Sequence, residues 1–152
     1  MRCDKCRHAF TLIEVLIVVV IIAVLAATII PLFSSSSHDA MEGMLKSHLR
    51  SLRTQIEVYR QHHLGRLPTI SGGSLPQLTW ATNVEGEVGI AGPAYPFGPY
   101  AVTGLPANPI SGSKLFTATA EFPPTAASGN GGWLYHEATG QVAADIEGYL
   151  DW

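Results

Sequence analysis

Residues 10–33 constrain this chain most, because they form an apolar run with a single charged residue, Glu14. At about 1.5 Å per residue, a helix over this run is about 36 Å long, enough to cross the hydrocarbon core of a bilayer. An acid inside a spanning helix is costly and usually marks a function. The run therefore predicts a membrane-inserted helix with a functional acid. The alternative is that Glu14 lies near the helix end and reaches the lipid headgroups.

The rest of the 152-residue chain is large enough for one small hydrophobic core. The net charge of −3 and the restriction of most arginines to one predicted helix, without a basic patch, argue against a nucleic-acid partner. Cys3 and Cys6 are the two cysteines, and His8 is the nearest further ligand. A structural zinc site needs four ligands, so no metal is expected.

The charges that flank the run predict how it enters the membrane. Residues 1–9 are net positive, and no other Lys or Arg occurs before Lys46, which favours a cytoplasmic N-terminus with the rest exported. One interpretation is an ordinary secretory signal with residues 24–26 as the small-residue cleavage site. A second is a membrane anchor that stays attached. Both leave Glu14 unexplained.

The stretch AFTLIE (residues 9–14), followed by the apolar residues 15–27, closely resembles the cleavage and methylation signature of type IV pilins and type II secretion pseudopilins. The resemblance implies that prepilin peptidase cuts between Ala9 and Phe10, and that the new Phe10 amine is N-methylated. The family usually has Gly before the cut, so Ala9 is expected to slow processing. The resemblance also implies that Glu14 pairs with the Phe10 amine of a neighbouring subunit, so that cleavage supplies the missing cation.

The same resemblance implies the partners and the location. The precursor would be a single-pass protein of the bacterial cytoplasmic membrane with its N-terminus inside. Its partners would be the prepilin peptidase/methyltransferase, the secretion or pilus assembly platform, and further copies in a helical filament that is periplasmic or extracellular. Pro31 matches a position where pilin-like helices often carry a proline, and it is expected to kink the helix. No cofactor is expected.

The sequence predicts an α+β protein with a pilin-like organisation. The expected parts are a basic leader (1–9), an apolar helix (10–33), an amphipathic helix (34–66) and a small head (67–152). Apolar residues recur every three or four positions in the amphipathic part and predict the face that packs on the head: Met41, Leu45, Leu49, Leu52, Ile56 and Tyr59. The helix is expected to end near Leu64 and Gly65.

Dense Gly and Pro residues beyond Pro68 predict loops and short strands in the head, arranged as a small antiparallel sheet. Ser74 and Gln77 have capping-box spacing and predict a short helix. Residues 132–136 and 141–144 predict a hairpin. Segments 98–112 and 132–145 are loosely similar to major pseudopilins, which bind calcium through a C-terminal loop. In this chain Asp145, Glu147 and Asp151 could supply oxygen ligands, but they do not show a clear calcium-binding spacing. These three acids are therefore expected to be solvated.

No catalytic motif is present, and the sequence does not predict an enzyme. His62 and His63 are adjacent, so on a helix they point about 100° apart and cannot chelate one ion. They are expected to be surface or half-buried residues at the helix end. A chain cut before Phe10 has no cysteine, unlike many adhesive pilins with a C-terminal disulfide, which favours a pseudopilin-like subunit. The alternatives are a minor or tip subunit that binds a partner or cargo, and an exported globular protein with an ordinary signal.

Overall fold

The computed structural model describes residues 10–29 and 36–152 in full, and the backbone alone of residues 30–35. The chain forms two compact units, of which the first ends at Ala40 and the second is Met41–Trp152. The elements are α1 (Leu12–His62), α2 (Pro76–Thr79), β1 (Ala81–Thr82), β2 (Val88–Gly89), β3 (Phe116–Ala118), β4 (Trp133–His136) and β5 (Gln141–Ala144). A long, initially apolar helix followed by small sheets and loops confirms the predicted α+β class and is consistent with a pilin-like fold.

In the second unit, α1 packs its apolar stripe into the core. Leu45, Leu49, Leu52, Ile56 and Tyr59 are all at most 2 % exposed, which confirms the predicted face. Met41 lies outside this core and is exposed. The stripe also continues one turn further than expected, to a buried His63.

A left-handed turn at Leu64 and Gly65, where the helix was expected to end, follows the last residue of α1, His62. Leu64 has a φ of 56° and Gly65 a φ of 83°. The Gly65 N–H donates to the Arg60 carbonyl oxygen at 2.9 Å, which satisfies one of the carbonyls that a helix end leaves without a partner. Glycine adopts this conformation without strain, whereas leucine does so only at some cost.

The predicted hairpin is confirmed, but the sheet that contains it is mixed. β4 and β5 pair antiparallel, with Trp133 opposite Ala144, whereas β3 pairs parallel to β4, with Phe116 opposite Trp133. The expectation of a wholly antiparallel sheet is therefore wrong for β3. β3 and β4 can pair in parallel because the connection over residues 119–132 returns the chain to the same end of the sheet before β4 begins.

The capping box expected at Ser74 and Gln77 is absent, although α2 itself forms. Leu75 occupies the N-cap position without a side-chain hydrogen bond, and Pro76 is the first helical residue. The Gln77 amide instead donates to Thr69 Oγ1 at 2.9 Å. Proline at the first position needs no N–H partner, so α2 starts one residue later than the spacing indicates.

Candidate functional site: the start of helix α1

Phe10 and Thr11 immediately precede α1 and are exposed, Phe10 to 84 %. Ala9, the other half of the expected cleavage site, lies outside the described residues. Pro31 lies in the segment of which only the backbone is described, so its kink stays a prediction. Cleavage, N-methylation and the filament role of Glu14 likewise stay predictions.

Thr11 and Glu14 form a reciprocal pair of hydrogen bonds around the first turn of α1. The Thr11 N–H donates to Glu14 Oε2 at 2.9 Å, and the Glu14 N–H donates to Thr11 Oγ1 at 3.3 Å. The Thr11 hydroxyl also donates to Oε2 at 2.8 Å. This is a capping box, in which two N–H groups that the helix start leaves without partners are satisfied. Glu14 thus has a role within its own chain.

The capping box was readable from the sequence, because Thr-x-x-Glu before an apolar run is its usual signature. Interpreting Glu14 only as an unpaired acid misses it. In the described contacts one carboxylate oxygen, Oε2, makes the capping bonds. Since a carboxylate has two oxygens and about four acceptor positions, capping and an additional cation are chemically compatible.

The helix that follows is apolar on all sides. Among the described residues, Leu12–Ile29 is the segment long and apolar enough to cross a membrane, with a mean hydropathy of 3.1, and none of it is buried within the structure. A helix that is apolar all round needs lipid or other protein around it. The first unit therefore cannot satisfy this surface by itself in water.

His63 ends the buried stripe as a structural residue. It is fully buried; Nδ1 lies 2.8 Å from the Tyr59 carbonyl oxygen and Nε2 lies 3.0 Å from Thr82 Oγ1. Because a carbonyl only accepts, Nδ1 carries a proton and donates to Tyr59, whereas the Thr82 hydroxyl can act as donor or acceptor towards Nε2. His63 was expected at the surface or half buried, which is wrong, and the reason is that β1 covers it. His62 is exposed and points to Tyr100.

The C-terminal acids considered for calcium hold a loop instead. Asp145 is 1 % exposed, so the expectation of a solvated acid is wrong for it, and its two oxygens accept the Ser128 N–H and hydroxyl, each at 2.5 Å. Glu147 accepts the Ala127 N–H at 3.0 Å. Within the described residues, no three His, Cys, Asp or Glu side chains cluster as metal ligands.

Asp145→Asn should destabilise the head by about 1.5–3 kcal/mol, because a buried charged side chain that accepts two part-buried hydrogen bonds becomes a neutral amide. Urea denaturation of the detergent-solubilised chain measures this change. Ser128→Ala, which removes the hydroxyl but keeps the N–H, should cost less. Calcium that stabilises the parent chain but not Asp145→Asn would contradict this role and make Asp145 a cation ligand.

The N-terminal segment also matches a protein-family model. Residues 4–30 match the model described as the prokaryotic N-terminal methylation motif. Comparison with curated proteins and with solved structures gives no match. The chain therefore carries a prepilin-type N-terminus of the kind found in type IV pilins and pseudopilins. The motif, and the long apolar helix that begins within it, are consistent with the prepilin signature of type IV pilins and pseudopilins.

Proposed function

We propose that this protein is a structural, non-enzymatic subunit of a type II secretion pseudopilus or a type IV pilus-like filament. The observation that carries the proposal is the uncovered apolar helix Leu12–Ile29, which begins two residues after Phe10 inside the methylation motif. In the membrane, lipid covers this helix. In a filament, the same helices of neighbouring subunits would cover one another.

Glu14 would provide the register of that packing. Lipid tails are as apolar as the side chains of the helix, so leaving the bilayer for a helix bundle gains little from hydrophobicity alone. An acid and a cation in such surroundings strongly favour being paired. In this proposal the Phe10 amine made by cleavage is the cation, and a subunit fits only where the amine meets a neighbour's Glu14.

The first experiment is to measure the N-terminal peptide mass of the protein from native membrane and sheared-filament fractions. We expect a chain that begins at N-methylated Phe10. The uncut precursor should accumulate in the membrane, because Ala9 replaces the usual Gly and slows cleavage. Ala9→Gly is the matched variant and should reduce that precursor pool.

Two other masses would contradict the proposal. A chain that begins at Ala27 would indicate an ordinary secretory signal, and the apolar helix would then be absent from the mature protein. A chain that keeps Met1 in every fraction would indicate a permanent membrane anchor without processing.

A further inference from the structure

A basic cleft lies along α1 in the second unit. Lys46, Arg50 and Arg53 line it together with Leu49 and Trp152, and its volume is about 330 Å³. The three cations stand four and three residues apart, which places them on one side of the helix. The sequence indicates no basic patch, but this spacing and the position of Trp152 assemble one.

Among the described residues, no Asp or Glu side chain pairs with these three cations, and the acidic group in the cleft is the terminal main-chain oxygen of Trp152, the last residue of the sequence. Lys46 Nζ lies 4.2 Å from the centre of the Trp152 ring. Arg53 donates to the Val142 carbonyl oxygen at 2.8 Å and to the terminal main-chain oxygen of Trp152. Arg50 is exposed, and no side-chain partner for it exists in this part of the chain. Three cations against one acidic group leave an excess of positive charge at Lys46 and Arg50, which favours a negatively charged partner.

The same unit carries an acidic turn between β1 and β2. Glu85 and Glu87 are exposed there, and Asn83 orders the turn. Asn83 Oδ1 accepts the Glu87 N–H at 2.9 Å, its Nδ2 donates to Glu87 Oε2 at 2.8 Å, and its carbonyl accepts the Gly86 N–H at 3.0 Å. A turn that is already ordered loses little entropy when it binds. The carboxylate of Glu85 has no partner within the described part of the chain.

The acidic turn and the basic cleft lie at different positions along the axis of α1. A Cβ placed on Gly86 would lie 2.4 Å from the Tyr59 hydroxyl, and the Arg66 guanidinium donates to the Glu85 carbonyl at 3.1 Å. The turn is therefore beside the end of the helix, whereas Arg50 is nine residues earlier than Tyr59, about 13 Å along the axis. A second copy displaced along the helix can bring its turn to the cleft.

We propose that the basic cleft of one copy receives the acidic turn of the next copy. This inference rests on the proposed filament, and it names a contact between heads inside it. The two surfaces differ, so the contact is heterologous and repeats without closing, as an open fibre requires. Exposed ion pairs contribute little affinity each, so the main effect is to select the axial register and to make assembly sensitive to salt.

A charge exchange in the full-length chain tests this contact. Arg50→Glu and Glu85→Arg should each lower the yield of sheared filaments about tenfold or more, because like charges then face each other. The two substitutions combined should restore most of the yield. Lys114→Glu is the matched control, since it makes the same charge change at an exposed residue that borders a different cleft, and it should assemble normally.

Cysteine cross-linking gives a second readout that does not depend on yield. Arg50→Cys and Glu85→Cys, expressed as separate chains without Cys3 and Cys6, should form a disulfide-linked dimer in filaments. Lys114→Cys paired with Glu85→Cys should not. No dimer from the first pair, or no restoration by the charge exchange, would overturn the proposed contact. If the contact fails these tests but the parent chain still forms Glu14-dependent filaments, the proposed function stands without it. If the parent chain forms no filaments, both the proposed function and the proposed contact are wrong.

Discussion

Glu14→Ala should remove the protein from filaments while leaving it in the membrane. If Glu14 pairs with the Phe10 amine of a neighbour, the substitution leaves that amine unpaired in apolar surroundings, at a cost of about 2–5 kcal/mol. This cost corresponds to a loss of at least about 30-fold in filament incorporation. Immunoblots of sheared-filament and membrane fractions measure the two populations separately.

The capping box means that Glu14→Ala alone is ambiguous, because it also removes a helix cap. Two further variants separate the roles. Glu14→Gln removes the charge, but Gln also serves at this position of a capping box, so we expect the cap to persist and assembly to fail. Thr11→Ala keeps the charge and removes the cap hydroxyl at a cost of about 1 kcal/mol, so assembly should persist.

Other assembly results for these variants would give Glu14 a different role. If Glu14→Gln assembles normally and Thr11→Ala does not, the cap rather than the charge is what assembly needs. If all three variants enter filaments as the parent chain does, Glu14 has no role in register. An ordinary exported protein would also be indifferent to all three substitutions.

The N-terminal features were predictable because they are local in sequence. The spanning helix follows from one uninterrupted apolar run, and the prepilin signature follows from the order of six residues. The apolar stripe of α1 was predictable for the same reason, since its period is set by the helix. The hairpin of β4 and β5 was also readable, because four residues with a glycine join its strands.

The features that were missed depend on contacts between distant segments. The burial of His63 requires Thr82 and β1, which no periodicity within α1 reveals. The parallel position of β3 depends on the path of the 119–132 connection, and the burial of Asp145 depends on Ser128 in that same connection. The basic cleft likewise exists only because Trp152 returns to α1.

Gly132 is the residue of the head where a single methyl group should have the largest effect. A Cβ at this position would lie 2.0 Å from the Leu115 carbonyl oxygen, far inside van der Waals contact. That oxygen cannot move away freely, because it accepts the Trp133 N–H at 2.8 Å where β3 meets β4. The Gly132 carbonyl is fixed as well, since it accepts from Asn108 Nδ2 and from the Asp145 N–H.

Gly132→Ala should therefore destabilise the head by about 3 kcal/mol or more, because relief of the clash separates two paired strands. Urea denaturation followed by tryptophan fluorescence, to which the buried Trp133 contributes, measures this loss. Gly43→Ala is the matched control: it lies within α1 with nothing within 4 Å of its Cβ, and it should stabilise the helix by about 0.5–1 kcal/mol. A Gly132→Ala chain as stable as the parent would mean that Leu115 and Gly132 do not approach this closely.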